Sequence, residues 1–180
     1  MPDERAMQAS LALMQGIEAE LKAIVYTAER TVTLLGNLET SGMEENQLRN
    51  VLNVAQESQR VTVVVNFIRY QIGRKRVGEQ WQHNGFGLQV IQDIEKTASE
   101  AAQRAVDHAT EWLIKHKQTV DELTRQQMQD TAHTKLMTYY LGFLNRAFVY
   151  IRKTKGGWSH LKDLVDERAS ARSEGEKSDA

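Results

Sequence analysis

The sequence predicts an all-α protein: an up-down bundle of four long helices with a short C-terminal helix and a disordered tail. Three observations carry that expectation. Of 180 residues one is proline, and it stands at position 2, so no interior segment meets a forced helix break. Apolar side chains recur at three- and four-residue spacing over runs of roughly 30 residues. Glycine and polar pairs fall between those runs. A chain of this length buries about 70% of its unfolded surface, so one core suffices without staples. Cysteine is absent, which excludes disulfides, thiolate metal sites and cysteine nucleophiles.

The first helix is expected from about Asp3 to Leu35. Pro2 suits a helix start, and Asp3 and Glu4 suit the positive end of its dipole. Met7, Leu11, Met14, Leu21, Val25, Ala28, Val32 and Leu35 form a near-heptad stripe that Glu18 alone interrupts. Gly36-Asn37 and Ser41-Gly42 are stop and loop signals. The second helix is expected from about Glu44 to Ile72, on Leu48, Leu52, Ala55, Val64, Phe67, Ile68 and Ile72. Its Val61–Val65 run is β-branched, a strand signal. Helix is preferred because the flanking period is 3.6 and no second strand is available to pair.

Gly73, Gly78, Gly85 and Gly87 then break the chain. The third helix is expected from about Leu88 to His116, with an alanine-rich middle that permits close approach of a neighbour. Thr119 with Glu122 fits a capping box for the fourth, which runs to about Thr154 and ends at Gly156-Gly157. Trp158, Leu161, Leu164 and Val165 make a short amphipathic cap. Residues 1–168 are read as one helical bundle domain. Residues 169–180 hold no large apolar side chain and are read as the disordered tail. No segment resembles a signal peptide or a membrane span, so the expected compartment is the cytoplasm, with no membrane partner.

The formal charge of −1 conceals a pattern. Residues 46–86 hold six basic and two acidic groups, net +4, and residues 123–162 hold seven and one, net +6. Arg69, Arg74, Lys75 and Arg76 lie at the end of the second helix; Arg146, Arg152, Lys153 and Lys155 lie at the end of the fourth. In an up-down bundle those two ends share a pole, and the first and third helices start there. The Gly78–Gly87 stretch adds Trp81, His83 and Phe86 as rings for stacking. Such a pole fits a phosphodiester backbone. The macrodipole also favours cations at any helix C-terminus, so a merely solvated helix end is the competing reading.

Catalytic patterns are poor, and the chain is not expected to be an enzyme or to hold a cofactor. A di-iron bundle needs Glu-x-x-His on two helices; the nearest match is a single Asp130-x-x-His133, better read as a polar helix face. Phosphate-loop, nucleophile-elbow and zinc-protease motifs are absent. Trp112, Tyr139, Tyr140 and Tyr150 stand at helical spacing beside leucines, which reads as core or interface.

Several stretches, in order, resemble a known family. They are Glu29–Leu35, then Gln47-Leu48-Arg49-Asn50, then Ile68-Arg69-Tyr70-Gln71-Ile72-Gly73-Arg74, then Tyr140-Leu141-Gly142-Phe143, and Ala147–Lys153 before Gly156-Gly157. Together they look like the small helical, Csm-type subunit of type III-A CRISPR RNA-guided effector complexes. The likeness covers roughly residues 29–76 and 136–157, and it departs at Glu45-Asn46, Asn145 and Ile151. It implies a non-catalytic antiviral-defence subunit that contacts guide and target RNA through basic side chains and assembles with other subunits. Arg49, Arg69 and Arg74 map onto family motif positions, with Arg152 or Lys153 at the closing basic position. Lys75 and Arg76 join them only from the basic cluster. The alternative is a helical adaptor or oligomerisation protein without nucleic acid, self-associating through the first helix.

Overall fold

A computed structural model describes the backbone of residues 2–36 and 38–178 and the side chains of residues 4–36 and 38–171. Among the described residues every regular element is helical. The long elements are α1 (Pro2–Thr33), α3 (Glu45–Ser58), α4 (Val61–Gly73), α7 (Ala98–Lys115), α8 (Glu122–Lys153) and α9 (Gly157–Ser178). Short helices α2 (Leu38–Ser41), α5 (Val77–Gln82) and α6 (Phe86–Gln92) connect them. A π-helical turn, Asp93–Thr97, joins α6 to α7, so the expected third helix runs through from Phe86 with one wide turn in it.

The second expected helix is two. The chain reverses at Ser58-Gln59-Arg60, where Gln59 takes a left-handed conformation with φ 50°. Ser58 Oγ donates to the Val54 carbonyl at 2.7 Å, and Arg60 is extended. The valine run beyond it is helical, as the flanking period requires, and buries Val64, Val65 and Ile68. This extra reversal changes the topology. Antiparallel pairing of α1 with α6–α7 follows from Glu20 meeting Arg104, Thr31 meeting Asp93, and Asn84 donating to the Leu34 carbonyl. Antiparallel pairing of α7 with α8 follows from Asp107 meeting Arg125 and His133 meeting the Ile94 carbonyl. Thus α1 runs parallel to α8. Neighbours in sequence still alternate in direction, but in place of four long helices a hairpin (α3–α4) is laid on a three-helix core.

That core joins α1, α7 and α8 through Ile17, Ile24, Val32, Val106, Leu136 and Phe148. The near-heptad stripe of α1 matches its buried face only from Ala28 onward. Toward the start Met14, Leu21 and Val25 are half-buried, and Met7 and Leu11 are 59% and 57% exposed. A 3.5-residue stripe drifts about 20° per heptad on a 3.6-residue helix, so it slides off the core. Ala12, Leu13, Gly16 and Ile17 take its place. At Gly16 a Cβ would lie 2.3 Å from the Ala105 carbonyl oxygen, so the alanine-rich face of α7 does admit a close neighbour. Gly16→Ala gains about 1 kcal/mol in helix propensity but incurs a backbone overlap, typically worth 1–3 kcal/mol. The obstacle is backbone, which places the cost at the upper end of that range, so a net loss of about 2 kcal/mol is expected in urea unfolding. A variant as stable as the parent would show that α1 and α7 separate freely.

Two termini differ from expectation. The first residue cap of α8 is Asp121, whose side chain accepts the Thr124 N–H at 2.7 Å, rather than Thr119. That bond holds the Asp121 carboxyl below its ordinary value. At the other end α9 continues through residues 169–178, where a disordered tail is expected. Alanine, glutamate and arginine there are good helix formers without a proline. Anchors earlier in α9 hold it: Trp158 Nε1 donates to the Thr33 carbonyl at 3.1 Å, Leu161 and Val165 are buried, and Arg168 pairs with Glu29. Residues 179–180 lie outside the described residues. Among those described, no helix is long and apolar enough to cross a membrane.

Candidate nucleic-acid interface

Four elements finish or begin at one end of the bundle beside the end of α1: α4 and α8 finish there, and α3 and α6 begin there. The extra reversal in the α3–α4 hairpin preserves the meeting of the two basic helix ends. It places the end of α1 at that pole, not its start, so the dipole of α1 presents its negative end. Glu44, which caps α3, stands between the basic clusters. It lines a groove of about 930 Å³ with Arg152, Glu39 and Trp158, and a cleft of about 320 Å³ with Arg74, Asn50 and Gln80. The groove is therefore of mixed charge, and cations dominate only on its flanks.

The basic residues sort by what they already hold. Arg49 pairs with Glu45 one turn back, and Lys153 approaches the same carboxylate at 3.8 Å. Arg69 bonds Glu95 at 3.1 Å. Arg74 donates to Gln71 Oε1 at 3.1 Å and lies 5.7 Å from the centre of the Tyr70 ring. Among the described residues Arg74, Lys75, Arg76 and Arg152 have no ion-pair partner. Surface pairs of the Arg49 and Arg69 kind contribute at most about 1 kcal/mol, so an incoming phosphate can displace them at small cost.

Arg76 is held in a strained turn. Its φ is 68° and ψ −58°, and the Val77 N–H reaches back to the Lys75 carbonyl at 2.9 Å. That is a positive-φ γ-turn, a geometry rare outside glycine. Such strain costs of order 1–3 kcal/mol and clusters where a side chain must point a given way. Arg76→Gly is expected to raise stability by about 1 kcal/mol after glycine's own entropy is discounted, while removing one cation from the pole. Thermal unfolding of the variant checks this; a lower Tm would mean the turn is unstrained.

Of the three rings expected to stack, His83 is half-buried and the other two are not at the surface. Trp81 and Phe86 are core residues whose ring centres stand 5.7 Å apart. The glycines around them serve packing: a Cβ on Gly78 would meet the Ile72 carbonyl oxygen at 2.3 Å. The exposed ring at this pole is Tyr70, placed one turn before Arg74. Sequence reading placed it only within the family-like stretch Ile68–Arg74. The signal was its place next to Arg69, on the polar side of a helix whose buried side carries Val64, Ile68 and Gln71.

Beneath the pole lies a feature that sequence reading missed. Asp93, at the start of the π-turn, has a side chain 0% exposed. Its Oδ2 accepts from the Thr31 hydroxyl and from the Tyr140 hydroxyl at 2.8 Å. Its Oδ1 accepts from Gln89 Nε2 at 2.8 Å and faces Arg30 at 3.5 Å. Burial and the adjacent Asp93 carboxylate push the Tyr140 phenol far above its ordinary value, so it remains a proton donor. Enclosed on all sides, this carboxylate braces α1, α6 and α8 and meets no solvent. His133, tested in sequence as a metal ligand, bonds the Ile94 carbonyl in the same π-turn, and Asp130 bonds Gln126. Among the described residues no three histidine or acidic side chains converge on one point.

Compared with protein-family models, curated proteins and solved structures, the chain matches none of them.

Proposed function

We propose that this chain is a non-catalytic small subunit of a type III CRISPR RNA-guided effector ribonucleoprotein. In that role it holds guide or target RNA by its backbone. One observation supports the RNA-binding part most: cations from two distant segments, Arg74–Arg76 and Arg152, reach one pole without carboxylate partners of their own. The assignment to this class of complex rests on the motif likeness in residues 29–76 and 136–157. Backbone contacts of this kind tolerate any sequence and weaken with salt by about 0.7 in log K per log salt for each phosphate neutralised on a single strand. The experiment is expression beside the other effector subunits and a CRISPR array, followed by isolation of the chain under mild salt. Guide RNA and larger subunits are expected to accompany it; recovery of the chain alone would overturn the assignment.

A second reading has its own observation. Met7 and Leu11 stand exposed on α1 with half-buried Met14 beside them, an apolar strip suited to an adaptor or to self-association. Concentration-dependent dimerisation, unaffected by salt and without RNA retention, would favour that reading.

A further inference from the structure

The exposed ring and the strained basic turn of α4 belong to one surface. Tyr70 is 61% exposed, although a tyrosine ring gains by burial. The guanidinium of Arg74 lies over it at 5.7 Å and is itself steadied by Gln71. Val63, two turns earlier on the same helix, is 45% exposed. Lys75 and Arg76 follow directly, and the γ-turn at Arg76 sets how that segment leaves the helix. Glu95, the carboxylate bonded to this stretch, is taken up by Arg69.

We propose that Tyr70 is a stacking platform for an unpaired base, with the phosphates beside that base held by Arg74, Lys75 and Arg76. This deepens the RNA-binding reading above and rests on it. The ligand class is a single-stranded polynucleotide rather than a duplex. In an A-form helix the bases are stacked on each other and present no free face. A single strand can splay a base onto an aromatic ring while its backbone follows a basic track. A guanidinium already seated on the ring contributes to such stacks. A purely electrostatic pole would not need the ring and would hold duplex as well as single strand.

The test is a binding titration of the purified chain with a mixed-sequence RNA of about 20 nucleotides, single-stranded or annealed to its complement. Tyr70→Ala is expected to weaken single-strand binding about 5- to 150-fold, the range of one lost base–ring stack, with an unchanged salt slope. Tyr70→Phe should bind within about twofold of the parent, since the ring is kept. Duplex affinity should be the same for all three. A 2-aminopurine base in the strand should lose fluorescence on binding the parent and the Phe variant but not the Ala variant. The ring sits at the surface, so Tyr70→Ala should leave the circular dichroism spectrum unchanged.

Equal single-strand affinity for Tyr70→Ala and the parent would overturn the stacking role. So would equal losses on single strand and duplex, which would indicate a shift of the whole turn. The combined variant Arg74→Gln, Lys75→Gln, Arg76→Gln separates the two ideas. If it loses affinity and salt dependence while Tyr70→Ala does not, the backbone reading stands and the stacking role falls. If neither RNA binds the parent chain, both fall.

Discussion

Replacing Asp93 by alanine is expected to destabilise the bundle by about 3–5 kcal/mol, the usual cost of breaking a buried charged network from one side. Three donors converge on this carboxylate from three elements: Thr31 on α1, Gln89 on α6 and Tyr140 on α8. Alanine would leave the Thr31 and Tyr140 hydroxyls inside the protein without this acceptor, each at about 1–3 kcal/mol if no water enters, whereas Gln89 is only half-buried. Tyr140→Phe removes a single donor and should cost less, about 1.5–3 kcal/mol. The comparison that separates network from packing is a joint replacement: Asp93→Leu with Thr31→Val and Tyr140→Phe. Removing both sides of a buried polar contact is often close to neutral, so this variant should recover much of the loss. Urea unfolding of the three proteins measures it. A loss below about 1 kcal/mol for Asp93→Ala would show that the knot contributes little.

Neutralising Arg74, Arg76 and Arg152 together by glutamine is expected to weaken single-stranded RNA binding roughly 50-fold at 0.15 M salt. That figure is three phosphate contacts at 0.7 each in the salt exponent, referred to 1 M. The slope of log K against log salt should fall in magnitude by about 2. Arg69 and Arg49 are left in place on purpose, because each neutralises a carboxylate of its own chain. Reversing them would set like charges against Glu95 and Glu45 and confuse repulsion with lost contact. All three targets are exposed, so circular dichroism should be unaltered. Unchanged affinity and slope would remove the basic pole from the binding account.

Long periodic stretches were readable from sequence because their burial follows one helix face. Ala28 and Val32 on α1 and Leu136, Tyr140, Leu144 and Phe148 on α8 are examples. The break at Gln59 left a trace: the stripe of the second expected helix lapses between Ala55 and Val64. A helix of that length would expose its middle, and the reversal instead folds both halves onto the core. Asp93 was not readable. A carboxylate between Ile91 and Ile94 looks like a polar face until Thr31 and Tyr140, 62 and 47 residues away, supply its donors. Of the site, the meeting of both basic segments was readable from helix lengths and reversals. The fate of its rings was not, since only tertiary packing buries Trp81 and Phe86 and leaves Tyr70 outside.

The parallel course of α1 and α8 has a practical side. Both helices contain 32 residues, so each spans about 48 Å, and both begin at the end opposite the cations. A tag, dye or surface tether joined ahead of α1 therefore acts as a handle at arm's length from Tyr70 and Arg152. Immobilised that way, the molecule stands on its far end with its charged tip turned to the solution. A linker at Gly156, by contrast, would sit within the very surface an experiment sets out to observe.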